Sequence, residues 1–244
     1  MIEVKDLYKR FGPVEALKGV SFAVPDGRIT GLLGPNGAGK TTTLRILYTV
    51  LRPDHGTALI DGHNAVTEPR LAQRCIGALP DSHGLYARLT ARENIRYYGR
   101  LHGIKGAELE QEIEHILTLL DMQGIADRRA EGFSNGERLK VAIGRALVHR
   151  PQNVLLDEPT NGLDVMSTRA MRAIIRRLRD EGKTVLFSSH IMQEVSALCD
   201  HIVVIAHGQV VSCGTPDELQ RETNQPTLED AFVTIIGSEE GLQR

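Results

Sequence analysis

The sequence predicts an α/β fold organised around a phosphate loop, and three observations carry that expectation. Gly34, Pro35, Asn36, Gly37, Ala38, Gly39, Lys40 and Thr41 spell G-P-N-G-A-G-K-T, which satisfies G-x-x-x-x-G-K-[ST] at every position. Apolar runs at residues 29–33, 153–156 and 184–188 read as short buried strands, two of them ending in polar residues where parallel sheets bind ligands. Between about residues 85 and 150 the texture turns helical.

Taken in order, residues 2–7 alternate apolar and polar, and residues 20–24 read as a strand closed by a turn at Pro25, Asp26 and Gly27. A small antiparallel sheet is therefore expected before the loop. Phe11 follows the first strand in a chain with five Phe, five Tyr and no Trp. It either stacks on an adenine or closes the edge of that sheet. The strand at residues 29–33 then feeds the loop, and Leu44, Ile46, Leu47, Val50 and Leu51 predict a helix over residues 41–51. In such a loop glycines let backbone N–H groups turn inward around oxyanions, and the helix start adds its positive end. Lys40 is placed to reach the outer phosphates and the Thr41 hydroxyl to bind Mg²⁺.

Residues 52–56 read as a turn, with strands expected at 57–61 and 75–79. Thr90 and Glu93 have capping-box spacing and open a helix through Leu101, while Leu109, Ile113, Ile116, Leu117 and Leu120 form one face of the next. Ser134 and Glu137 repeat the capping box in F-S-N-G-E, ahead of Leu139, Ala142, Ile143, Ala146 and Leu147. A helix entered through Ser, Asn and Gly presents open N–H donors to an anion, although a capped structural helix is the plainer reading of that segment alone.

The strand at residues 153–156 runs into Asp157 and Glu158. In phosphoryl chemistry the first holds Mg²⁺ and the second orients or deprotonates the attacking water, a contribution of roughly 10²- to 10⁴-fold. Met171, Ile174, Ile175 and Leu178 face inward on a following helix, whose Arg169, Arg172, Arg176, Arg177 and Arg179 read as a solvated face. Ser189 and His190 end the next strand, residues 200–206 and 209–213 read as a hairpin, and short helices are expected at 216–221 and 228–236.

The 244 residues, 41% hydrophobic and 25% charged, suit one or two soluble domains. A net charge of -2 provides no global basic field, so no nucleic-acid partner is expected. Cys75, Cys199 and Cys213 lack metal-like spacing and read as reduced, buried structural thiols. No apolar run approaches the roughly 18 residues of a spanning helix, so a membrane role would need another chain to span.

Over nearly its whole length this ordered set resembles the nucleotide-binding subunit of ABC transporters. The resemblance implies a P-loop NTPase core of the ABC ATPase kind, with a small antiparallel β subdomain and a helical signature subdomain. A single domain over residues 1–236, its helical part at about 85–150, and a polar tail at 237–244 follow. Gly34 to Thr41 looks like the Walker A loop, which with Thr42 takes ATP. Asp157 and Glu158 end Walker B, residues 161–164 look like the D-loop, His190 is the switch histidine, and Phe11 falls at the adenine-stacking position. Catalysis would then rest on Glu158, His190 and Lys40, with Mg²⁺ at Thr41, Asp157 and Asp81.

The F-S-N-G-E segment occupies the place of the L-S-G-G-Q signature; Ser134 and Gly136 remain, while Asn135 and Glu137 depart from it. Asp81 stands where most members carry glutamine, one methylene longer. The resemblance implies a head-to-tail pair of subunits with ATP between each Walker A loop and the facing Ser134. It also implies a separate permease and a place at the cytoplasmic face of the cell membrane. The permease grip is expected beside Asp81 and the helix opened by Thr90, with Arg88 and Arg92 as exposed charges. Within the family the chain looks like export ATPases of the bacterial sodium-extruding type, with drug, lipid or polysaccharide as other cargoes. A soluble ABC ATPase and a nucleotide sensor without turnover are the alternatives outside transport.

Overall fold

The computed structural model describes residues 1–81 and 84–241. The amino-terminal alternation extends beyond its expected bounds: β1 (Ile2–Phe11) and β2 (Val14–Val24) form a long antiparallel hairpin with Ile2 opposite Val24. β3 (Ile29–Leu33) enters the phosphate loop, and α1 (Lys40–Leu47) leaves it. That helix stops short of residue 51 because Thr49 adopts a left-handed backbone, φ 64°, and Val50 is 72% exposed. β4 (His55–Ile60) pairs with the other edge of β1, and β5 (His63–Asn64) completes a four-stranded sheet ordered β2-β1-β4-β5. β5 and α2 (Pro69–Cys75), which precedes β6 (Ile76–Leu79), escape sequence reading because two and seven residues are too short to set a period.

The helical insertion consists of α3 (Ala91–Leu101), α4 (Gly106–Leu119) and α5 (Asn135–Leu147). Both expected capping boxes are formed: Thr90 with Glu93, and Ser134 with Glu137, each satisfy two backbone donors. The faces read from the sequence, including Leu109, Ile113, Ile116 and Ile143, are buried together. A Cβ on Gly144 would lie 2.9 Å from Ile95 and 3.0 Å from Ile116, so glycine sets how closely these helices cross. Arg92 corrects an expectation, since it is paired with Glu114 and Asp127 and braces α3 rather than standing free.

The chain then returns to the main sheet through β7 (Asn153–Asp157), α6 (Val165–Asp180), β8 (Thr184–Ser189), α7 (Met192–Leu198), β9 (His201–Ala206) and β10 (Gln209–Gly214). α8 (Pro216–Thr223) and α9 (Leu228–Gly241) end it, the last helix running past residue 237; residues 242–244 of the expected polar tail lie outside the described residues. α7 went unread in the sequence. The sheet order is β10-β9-β3-β8-β7-β6, parallel except for β10.

The parallel strands β3, β7, β8 and β9 are mostly apolar and buried because both faces are covered. Leu32, Leu155, Leu186 and Val203 pack with the β1–β2–β4 sheet and α1, while Leu33, Leu156, Phe187 and Val204 pack with α6, α7 and the helical insertion. Of the three cysteines expected inside, Cys199 is buried, Cys75 is half-buried and Cys213 is exposed, the last on the edge strand β10.

A pair of histidines joins the insertion to the sheet. The His102 and His149 rings stack in parallel with centroids 3.9 Å apart, and His149 Nε2 lies 2.8 Å from the Ile76 carbonyl. Burial and then the neighbouring His102 push His149 down to about 4. A folded value below the unfolded one means that this contribution is complete above about pH 6.5 and is lost as pH falls toward 4. Lowering the pH from about 7 to about 5 is expected to cost about 2 kcal/mol of stability. His149→Gln, which keeps a donor for Ile76, should flatten that dependence in urea unfolding midpoints measured across the range.

Candidate active site

The strand order places the chemistry. β3, β8 and β7 are neighbours, with Leu33 beside Ser189 and Asp157 beside Ser188, so three loops leave one edge of the sheet together. The first of them requires glycine: a Cβ on Gly34 would sit 2.1 Å from the Ile205 carbonyl oxygen. Gly39 has φ 108°, and its Cβ would meet Leu17 at 2.7 Å. The loop is tied down from outside by Gly208 N donating to Ala38 O at 3.0 Å. Lys40 folds across it, its Nζ donating to Gly34 O at 2.8 Å and Pro35 O at 3.1 Å.

Asp157 and Glu158 diverge. Asp157 Oδ1 accepts from Ser188 Oγ at 2.7 Å and Thr41 Oγ1 at 3.2 Å. Burial pushes its carboxyl above the usual range despite those two donors, and the neighbouring charges of Asp81 and Glu158 push the same way. Glu158 takes a left-handed backbone, φ 48°, with its N–H donating to Ser188 Oγ at 2.9 Å. A non-glycine residue there costs of order 1 kcal/mol or more, which the surrounding contacts must hold. The turn aims its carboxylate back over the loop, where Oε1 lies 3.4 Å from Lys40 Nζ and Oε2 lies 2.9 Å from His190 Nδ1. The Glu158 side chain is 14% exposed and that of His190 37%, so the pair stands at the mouth of the site.

A cleft of about 430 Å³ runs over this edge, lined by residues 36–42 of the loop together with Ala16, Asp81, Glu158, Asn161 and His190. Lys40, Thr41, Asp81, Asp157, Glu158 and His190 are thus brought together. Phe11 is not part of the lining: it stands 48% exposed at the tip of the β1–β2 hairpin, with Lys9 Nζ 5.6 Å from its ring centroid. Ala16 of that same hairpin lines the cleft instead. Ser134 and Gly136 also lie outside the lining, at the start of α5, where a Cβ on Gly136 would meet Ser167 Oγ at 2.9 Å.

Sequence reading assigned no role to Ser188, which bridges Asp157 and the Glu158 backbone. Its only signal was a hydroxyl in the strand end paired with the acidic one. Among the described residues no three His, Cys, Asp or Glu side chains converge as a metal site of their own. The buried carboxylate beside Thr41 and near two further carboxylates nevertheless fits a Mg²⁺ held jointly with phosphate oxygens, since Mg²⁺ commonly takes one or two carboxylates plus substrate.

A glycine-rich loop ahead of a helix, a lysine across it, and acidic and histidine side chains at adjacent strand ends define a P-loop nucleoside triphosphatase. A family model described as ABC transporter matches residues 17–161. The chain is 42% identical over 241 residues to the ABC transporter ATP-binding protein NatA of Bacillus subtilis (strain 168), covering 97% of this chain and 98% of that protein. Solved structures are similar as well, two of them as follows. One, an ATP-binding subunit of an ABC transporter, superposes with a TM-score of 0.86 at 28% identity, covering 97% of this chain and 99% of that one. The other, a dimeric ATP-binding cassette in a post-hydrolysis state bound to ADP and Pi, has a TM-score of 0.77 at 26% identity, covering 88% and 98%. The chain belongs to the ATP-binding subunits of ABC transporters, which hydrolyse ATP for transport.

Burial works against the charged form of Asp157. Because its folded carboxyl is shifted upward, ionisation at neutral pH opposes folding of the nucleotide-free chain. Asp157→Asn, whose amide oxygen still accepts from Thr41 and Ser188, should raise the thermal midpoint without nucleotide. It should also abolish the additional stabilisation that Mg²⁺ confers in the presence of ATP, read in the same melting experiment.

Proposed function

We propose that this chain is the ATP-hydrolysing subunit of an export system, working as a head-to-tail pair on a separate membrane permease. The observation that carries the reading is Glu158, held between Lys40 and His190 at the mouth of the phosphate loop. In this reading the loop N–H groups and Lys40 bind the phosphates of ATP, and Gly37 and Gly39 keep the approach open. Thr41, Asp157 and Asp81 are the residues to hold Mg²⁺, which when bound neutralises charge developing on the phosphates. The Glu158 carboxylate takes the proton of the attacking water, and His190, touching its Oε2, fixes the orientation of that carboxylate.

Ser134 and Gly136, away from the cleft of their own chain, are left to complete the site of a second copy; the dimeric ADP-bound relative supports that arrangement. The nucleotide sensor is disfavoured by the Glu158–His190 contact. Phe11, on the hairpin that contributes Ala16, is assigned to the adenine face of the same site.

Among the described residues no helix is long and apolar enough to cross a membrane. In this reading the chain docks on its permease at the cytoplasmic face of the cell membrane, and residues 1–236 act as one ATP-binding domain with a helical part at 85–150. The grip is assigned to the exposed aromatic pair Tyr86, in the segment before α3, and Tyr97, on α3, whose rings meet edge to face at 5.1 Å. Sodium is the proposed cargo, from the kind of export ATPase that the sequence resembles.

Glu158→Gln should lower steady-state ATPase at least a hundredfold while leaving ATP affinity within about threefold, since the amide cannot accept the proton. Turnover within a few fold of the parent would end the assignment of Glu158 as base. Arg88→Glu, at an exposed position beside the aromatic pair, should weaken co-purification with the permease and leave basal ATPase unchanged. In inside-out vesicles carrying both proteins, ATP-driven sodium uptake should disappear with Glu158→Gln. No uptake by the native pair removes sodium and turns the same assay to drug, lipid or polysaccharide.

A further inference from the structure

Behind the site lies a buried carboxylate that the mechanism above does not use. Glu194, in the first turn of α7, is 3% exposed, and among the described residues no cation pairs with it. Its Oε2 instead accepts two hydroxyls, Thr160 Oγ1 and, at 3.1 Å, Ser189 Oγ. Burying a carboxylate on two neutral donors is expensive in stability, so what it offers is position.

Its two partners frame the reacting pair. Thr160 lies two residues after Glu158, in a turn closed by Asn161 N donating to Glu158 O at 3.1 Å and Leu163 N to Thr160 O at 3.2 Å. Ser189 immediately precedes His190, and its Oγ accepts from Ile191 N at 3.0 Å, so the backbone is held on both sides of the histidine. The β7–β8 ladder ends at the pair of Asp157 and Ser188. Glu158 and His190 therefore meet beyond the last rung, where sheet hydrogen bonds no longer fix their separation.

We propose that Glu194 is a positioning residue for ATP hydrolysis: it clasps the turn after β7 to the turn after β8 and so sets the contact between Glu158 and His190. This rests on the reading in which those two residues act on the attacking water. The role predicts a loss of turnover without a loss of nucleotide binding, because none of the atoms clasped lines the phosphate loop.

The test uses the purified full-length chain and measures kcat, KM for ATP and thermal midpoint for Glu194→Ala, Glu194→Gln, His190→Ala and the double variant Glu194→Ala with His190→Ala. Glu194→Ala should lower kcat about tenfold with KM within twofold of the parent. Glu194→Gln, which keeps one acceptor oxygen for the two hydroxyls, should recover a large part of that rate. In the His190→Ala background the further loss from Glu194→Ala should shrink to less than twofold, since the residue acts through that contact. Should Glu194→Ala not fold, Thr160→Val removes one arm of the clasp at constant size and is held to the same two criteria. Parental kcat in the folded variant, or an equal loss with and without His190, overturns the assignment. If His190→Ala and Glu158→Gln themselves turn over like the parent, it is the underlying site reading that fails.

Discussion

A single buried oxygen ties this structure together. Asp157 Oδ1 accepts from Thr41 at the start of α1 and from Ser188 at the end of β8, while its own backbone ends β7. Three segments far apart in the chain thus converge on one atom, at the edge where parallel strands leave their carbonyl ends and helices begin. The cost is a desolvated carboxylate near two others, and a site that gathers acidic groups in this way is prepared for a cation and for phosphate. The same Ser188 hydroxyl that donates to Asp157 accepts from the Glu158 N–H. One side chain therefore sets both the buried acid that faces the loop helix and the next acid, which turns outward.

The surrounding layers explain why that convergence holds. Alternate residues of β3, β7, β8 and β9 belong to different cores, one shared with the amino-terminal sheet and α1, the other with α6, α7 and the helical insertion. Neither face of the sheet can slip without exposing the other core, because a shift of one residue exchanges the two sets. The phosphate loop is gripped on both sides, by Gly34 passing against Ile205 and by Ala38 bonded to Gly208. Rigid strand ends and a tethered loop allow Glu158 to be held in a left-handed conformation that an isolated turn would abandon.

The helical insertion works differently. Its capping boxes and the Gly144 crossing make it a compact unit, and it meets the rest of the chain through apolar packing and the stacked His102 and His149. It carries Ser134 and Gly136 at one helix start and the exposed tyrosines beside the Asp81 loop. In the proposed pairing and docking, such a unit would transmit motion between a second copy and a permease only if it is internally stiff. Part-buried His149 at its root, held neutral near pH 7, supports that stiffness and surrenders it in acid.

The sequence by itself determined whatever depends on local pattern. The loop glycines and Lys40, both capping boxes, the apolar faces of α4 to α6 and the acidic and histidine strand ends were all legible, because each obeys a spacing that backbone geometry imposes over a few residues. Short elements such as β5, α2 and α7 were not, since two to seven residues do not set a period. Only the tertiary structure decided which side chains share a site. It put Ala16 rather than Phe11 along the cleft, drew Arg92 into ion pairs, placed Ser188 between two acids and Glu194 behind them. Those outcomes turn on strand order and on distances across the sheet, which are set by the packing of both cores at once and leave no mark on neighbouring positions in the chain.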